Sequence, residues 1–122
     1  MRAGRSREGF REIRAEEAAL LERLLAREFP GSAELREQLR TITLVEIDAD
    51  GSLRLSTRSS VRAAVGRRIP VEASYVDRDG VRVHLLLHVV DGYLDELEIL
   101  REDPAPVMNR PADQAELDFD QA

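Results

Sequence analysis

Cysteine, lysine and tryptophan are absent from this chain of 122 residues, and aromatic residues make up only 4% of it. Without cysteine there is no disulfide framework, thiol nucleophile or thiolate metal site, and no thiol redox function is expected. Without lysine there is no Schiff-base or P-loop chemistry. All 18 basic residues are arginine, which reads as the codon usage of a GC-rich genome. No run of 18 or more apolar residues occurs, so no membrane span is expected. The arginine-bearing N-terminus is not followed by a hydrophobic stretch with a cleavage site, which argues against a secretory signal and for a cytoplasmic protein. No catalytic motif, metal cluster or phosphate loop stands out, so neither a cofactor nor a metal is expected.

What is present is an ordinary globular composition, 43% hydrophobic and 34% charged, at a length suited to one domain. The net charge of −6 argues against nucleic acid as a partner, because phosphate binding needs a basic surface. Charge is distributed unevenly: residues 1–14 carry five Arg against two Glu, and residues 102–122 carry six acids against one Arg. The expected organisation is a flexible basic N-terminus over 1–9, a single α+β domain over 10–103 and an acidic, proline-containing tail over 104–122.

The spacing of Ile13, Leu20, Leu21, Leu24 and Leu25 predicts a helix from about Glu12 to Glu28. Pro30 and Gly31 interrupt it. Ser32 is then expected to cap a second helix carrying Leu35, Leu39 and Ile42 on one side. Beyond Thr41 the apolar period becomes two, and Asp-Gly occurs three times between alternating runs, at Asp50-Gly51, Asp79-Gly80 and Asp91-Gly92. Asp-Gly in that setting is a hairpin signal. The expected fold is therefore α+β, with two N-terminal helices packed on one face of an antiparallel sheet of about five strands joined by Asp-Gly hairpins.

Register follows from keeping apolar residues together, because a one-residue slip turns every side chain to the opposite face. A two-residue loop at Asp91-Gly92 would set Leu87 against Glu96 and Leu85 against Glu98. A three-residue loop of Val90, Asp91 and Gly92 instead sets Val89 against Tyr93, Leu85 against Leu97 and Val83 against Ile99. The same rule sets Tyr75 against Val83 and Ala73 against Leu85, and it sets Ile47 against Leu53 and Val45 against Leu55. The inner face would then hold Val71, Ala73, Tyr75, Val81, Val83, Leu85, Leu87, Val89, Tyr93, Leu97 and Ile99. The strand from Val81 to Val90 lies centrally between its hairpin partners. Arg58 to Ile69, with four arginines, reads as a short capped helix from Ser59 to Val65, a continued strand or a basic crossover loop. Leu117 and Phe119 alternate with Asp118 and Asp120, which suits docking of the tail as an edge strand.

The run His84-Leu85-Leu86-Leu87-His88-Val89-Val90-Asp91-Gly92-Tyr93-Leu94-Asp95-Glu96-Leu97-Glu98-Ile99 is followed by Arg101-Glu102-Asp103. With Phe29-Pro30-Gly31, Glu34-Leu35 and Gly51-Ser52-Leu53, it resembles a family of small bacterial proteins classed only as a domain of unknown function, over roughly residues 13–111. Leu100 and Pro104 depart from the family pattern, which has an aromatic residue and a glycine there. The resemblance implies a bacterial origin and the same fold, and it brings no activity with it.

In this register the outer face carries Glu72, Ser74, His84, Leu86, His88, Leu94, Glu96 and Glu98. His84 is set opposite Glu98 and Ser74 opposite His84, with opposed Cβ atoms roughly 4.5–5.5 Å apart. An imidazole hydrogen-bonded to a carboxylate could act as a general acid/base. A mid-strand Ser74 lacks the exposed turn and oxyanion hole of a hydrolase nucleophile. His84 and His88 are four strand residues apart, about 13 Å, too far to share one metal ion. Leu86, Val90, Leu94 and Leu100 form an apolar strip rimmed by acids, the character of a protein-interaction surface. The expected function is thus a non-enzymatic bacterial interaction domain, of an immunity or regulatory kind, binding a protein partner or a second copy of itself. The competing expectation is a small enzyme or ligand-binding domain using His84 and Glu98.

Overall fold

Leucines at helical spacing build α1 (Ala15–Leu25), which buries Leu20, Leu21, Leu24 and Leu25 in this computed structural model, whose described residues are 8–120. The basic N-terminus expected over 1–9 falls mostly on residues 1–7, outside the described residues. α1 is shorter at both ends than the expected 12–28. At its start Arg11–Glu12 form strand β1 instead. Glu17 makes the turn into the helix: its carboxylate accepts the Arg14 N–H at 2.8 Å and two bonds from the Arg11 guanidinium at 2.9 and 2.8 Å. Those bonds hold the Glu17 pKa below the usual carboxylate range, the Arg11 bond contributing most. The cap of α2 (Ser32–Leu39) is Gly31 at φ +94°, rather than Ser32, whose buried hydroxyl accepts the Phe29 N–H at 3.3 Å. Ile42, expected on the second helix, begins a strand.

Among the described residues the sheet has seven strands rather than about five. After β1 come β2 (Ile42–Glu46), β3 (Leu53–Thr57), β4 (Val71–Val76), β5 (Arg82–Val90), β6 (Tyr93–Arg101) and β7 (Asp118–Phe119), in the spatial order β1-β2-β3-β6-β5-β4-β7 with every pairing antiparallel. The two additional strands are two-residue edges, β1 on β2 and β7 on β4. Arg58 to Ile69 has no regular structure, and its Arg58, Arg62, Arg67 and Arg68 side chains are exposed.

Three turns take three geometries. Between β4 and β5, Arg78, Asp79 and Gly80 form a three-residue loop closed by the Asp77 N–H to Val81 carbonyl bond at 2.8 Å, so Tyr75 opposes Val83 and Ala73 opposes Leu85. Between β2 and β3 the Asp48 carboxylate accepts the N–H groups of Asp50 and Ser52, both at 3.0 Å, which makes a four-residue loop. Leu44 therefore opposes Leu55 and Val45 opposes Arg54, one residue away from the expected register. That slip puts Ile42 and Leu44 in the core and leaves Ile47 40% exposed. Between β5 and β6, Asp91 and Gly92 both have positive φ, +54° and +84°, and form a tight two-residue turn joining Val90 to Tyr93.

That tight turn alone would drive Glu96 and Glu98 into the core. One additional residue prevents it: Val89 opposes Leu94 but His88 opposes Glu96, so Asp95 is a bulge. Beyond it Leu87 opposes Leu97, Leu85 opposes Ile99 and Val83 opposes Arg101, each two positions from the expected partner. A shift of two preserves the faces, so Leu97 and Ile99 stay inside. Before the bulge the faces reverse: Leu94 is buried, and Tyr93, expected inside, lies half-buried opposite Val90.

β3 meets β6 only at Leu53↔Leu97 and Arg54↔Glu96. Side chains complete the remaining edge of β6. Gln38, fully buried on α2, accepts the Leu94 N–H at 2.8 Å and donates to the Gly92 and Val61 carbonyls at 2.7 and 2.8 Å. At the other end the Ser52 hydroxyl accepts the Ile99 N–H at 2.9 Å. Both satisfy backbone groups that a buried strand cannot leave unpaired.

The last residue of β6 ties down the chain beyond it. Arg101 is buried and donates to Asp77 at 2.8 Å and to Asp103 at 2.6 Å, with a further contact to Asp79. Asp77 also accepts the N–H groups of Met108 and Asn109 at 2.9 and 2.8 Å. The tail then crosses the helical layer. Asn109 accepts the Tyr75 hydroxyl at 2.6 Å, Arg23 donates to the Gln114 carbonyl at 2.7 Å, and β7 pairs with β4 where Arg27 stacks 4.9 Å from the Phe119 ring centre.

Burial raises the Asp77 pKa, but the backbone N–H groups and Arg101 outweigh it and bring it down to about 2. Because this folded value lies below the unfolded one, Asp77 contributes stability that is complete above about pH 4 and is lost as pH falls through about 2. Asp77→Asn is therefore expected to lower Tm at pH 7, with the gap to the parent narrowing between about pH 4 and pH 2 in thermal melts. The turn glycines give a second test. A Cβ at Gly92 would lie 2.4 Å from Arg62 Cγ and 2.8 Å from the Ala63 carbonyl oxygen, whereas Gly80, also at positive φ, faces open space. Gly80→Ala should cost about 1 kcal/mol in urea unfolding, and Gly92→Ala clearly more than that.

Candidate functional site

Both helices pack on one face of the sheet and the tail crosses that same side, so among the described residues the opposite face is left open. Its residues come from alternate positions of four strands, set by the bulge and by the four-residue loop at Asp48. Of the eight residues expected there, seven are on this face. Leu94 is the exception: the Asp95 bulge turns it into the core, where it is 1% exposed.

The expected His84–Glu98 pair does not form. The two-position shift sets His84 opposite Leu100, and its Nε2 lies 2.8 Å from Glu102 Oε1. Ser74 does oppose His84, but its hydroxyl accepts a bond from Arg82 at 2.9 Å, so Ser74, His84 and Glu98 make no relay. Arg82 also meets Asp118 of β7 at 3.0 Å. Glu72, near the β4 edge, lies beside Asp120, and hydrogen bonding to that carboxyl, with burial and like charge adding to it, pushes the Glu72 pKa up.

What the face does bring together is His88, Glu96 and Glu98. His88 is directly opposite Glu96, and its Nε2 lies 2.9 Å from Glu98 Oε1. Two arginines flank the cluster: Arg54 of β3 at 3.5 Å from Glu96, and Arg68, whose Nε donates to His88 Nδ1 at 3.3 Å. With Nδ1 accepting, the neutral ring carries its proton on Nε2, directed at Glu98. The His88 side chain is 13% exposed. Leu86, opposite Glu98, and Val90 are half-buried, while Leu100 is 49% and Val76 48% exposed.

Arg54, Arg68 and Glu102 are site residues that sequence reasoning missed. Arg54 was legible as an outward residue, since it alternates with Leu53 and Leu55. Its partner was not, because β3 and β6 are joined by no hairpin. Arg68 lies in the segment without regular structure, and Glu102 follows from the two-position shift.

Three cavities among the described residues lie away from the two histidines. One of about 270 Å³ sits between α1, the β2–β3 loop and the tail at Arg110–Ala112, and one of about 170 Å³ between the end of α1 and the β4 edge. A shallow one of about 430 Å³ runs along Arg62–Arg68 beside the Asp91–Gly92 turn. None of the three is lined by His84, His88 or Glu98.

A family model described as a domain of unknown function, DUF6984, matches residues 10–111. The chain belongs to this family. The DUF6984 match spans both helices and β1 through β6, including the whole His88–Glu96–Glu98 cluster, and ends at Pro111 before β7. No curated protein and no solved structure matches the chain. No helix among the described residues is long and apolar enough to cross a membrane.

Proposed function

We propose that this chain is a non-enzymatic protein-interaction domain, of an immunity or regulatory kind in a bacterial cytoplasm, that receives a protein partner on the open face of its sheet. The observation that carries this reading is that neither helix nor tail covers a face where Leu86, Val90, Val76 and Leu100 lie among charged side chains. Apolar contact area interspersed with hydrogen-bonding charge is the composition of interfaces that form between separately stable proteins. The face is built on paired strands, so it is ordered before binding and loses little entropy on docking. The chain's net charge of −6 favours a basic partner, by faster encounter more than by tighter final binding. The competing enzymatic reading needs His84 beside Glu98 in a concave site. His84 is instead engaged by Glu102, and the three cavities lie away from both residues.

The test is co-purification from the native cell, followed by reconstitution with the identified, purified partner. Leu86→Arg and Leu100→Arg, both on the open face, should keep the parent's circular dichroism and Tm within a few degrees while weakening binding about tenfold or more. Binding within about twofold of the parent for both variants, or a partner that carries no basic surface, contradicts the proposal.

A further inference from the structure

His88, Glu96 and Glu98 each offer one ligand atom, and these atoms all lie within 4.8 Å of one another. We propose that this cluster is a binding site for a divalent transition metal of the zinc class, ligated by His88 Nε2 and one carboxylate oxygen each from Glu96 and Glu98, with the remaining coordination positions open on the outer face.

The backbone places the three side chains. His88 and Glu96 are a direct cross-strand pair, and Glu98 is two residues along the same strand, hence on the same side. The bulge at Asp95 makes this possible, since without it both glutamates would face the core. Zinc binds imidazole nitrogen and carboxylate oxygen at about 2.0–2.2 Å, so tetrahedral ligand atoms stand about 3.4 Å apart. The cluster brackets that value, with His88 Nε2 and Glu98 Oε1 at 2.9 Å and the widest separation within 4.8 Å. Side-chain rotation of about 1 Å completes the geometry. One imidazole with two carboxylates selects zinc, cobalt or manganese over calcium and magnesium, which take all-oxygen sites.

The flanking arginines act differently. Arg54 contacts Glu96 from β3 and leaves His88 free to bind. Arg68 donates to His88 Nδ1, which requires the ring proton on Nε2, the nitrogen the metal must take. Metal binding moves that proton to Nδ1 and displaces Arg68, which is exposed and lies in a segment without regular structure. Arg68 is thus a built-in competitor of the metal. The inference holds whether or not the face also docks a protein.

The experiment is a titration of the full chain with Zn2+ followed on the two imidazoles by ¹H–¹⁵N NMR, with affinities of variants measured by calorimetry. His88 ring nitrogens should shift saturably at one equivalent while those of His84 stay in place. Glu98→Gln should weaken binding about tenfold or more, Glu102→Gln should leave it unchanged, and Arg68→Ala should tighten it. The NMR readout needs no variant, so it stands even if one misfolds. Absence of saturable binding at about 100 μM Zn2+, equal shifts at both histidines, or equal losses for Glu98→Gln and Glu102→Gln would overturn the proposal.

Discussion

The parity of strand β6 is the constraint on which the rest of this molecule depends. Leu94 and Leu97 are both buried, yet they are three residues apart, and a regular strand would put them on opposite faces. The additional residue at Asp95 reconciles them. Everything C-terminal to it inherits the choice: Leu97 and Ile99 in the core, Glu96 and Glu98 on the open face, and Arg101 on the inner side opposite Val83. Burying two leucines is worth roughly 3–6 kcal/mol at the usual values for full side-chain burial. Leaving Asp95 out of the ladder costs less than that, because an acidic residue at a bulge remains accessible to water.

β6 is also where the sheet joins everything else. Its flank toward β3 is only partly met by a strand, and Gln38 and Ser52 serve as partners for the backbone groups left over. Gln38 thereby joins α2, the irregular segment at Val61 and the Gly92 turn through one buried amide. At the other end Arg101 gathers Asp77, Asp79 and Asp103, and Asp77 holds the backbone at Met108 and Asn109. The tail's path over the helical layer starts there, and that path is what leaves the opposite face open.

Features that depend on local pattern were legible in the sequence. Leucine spacing located both helices, strict alternation located β4 and β5, and a three-residue loop gave their register. The failures have specific causes. At Asp48 a side chain lengthens the loop by taking two backbone N–H groups, and alternation in Val45 and Ile47 does not reveal this. At Asp91 a non-glycine residue adopts positive φ, so the turn is tighter than the apolar pattern suggested, and the bulge restores the pattern two positions out of step. β1 is two residues long and depends on a neighbour more than 30 residues away in the chain, whereas the docking of the tail as edge strand β7 was legible in the alternation of Leu117 and Phe119. The open face was legible by composition, whereas its pairings were not, since Glu98 passes from His84 to His88 and His84 takes Glu102 under a shift that leaves the faces unchanged.

Cross-linking tests the bulged register most directly, and a chain without cysteine makes it clean. Opposed strand residues have Cα atoms about 4.5–5.5 Å apart, within disulfide range, while residues two positions out of register lie beyond it. Two double variants are compared under mild oxidation, His84→Cys with Leu100→Cys and His84→Cys with Glu98→Cys. The bulged register predicts an intramolecular disulfide in the first and none in the second. A disulfide in the second and none in the first would place Glu98 opposite His84 and contradict the account of the core and the open face together.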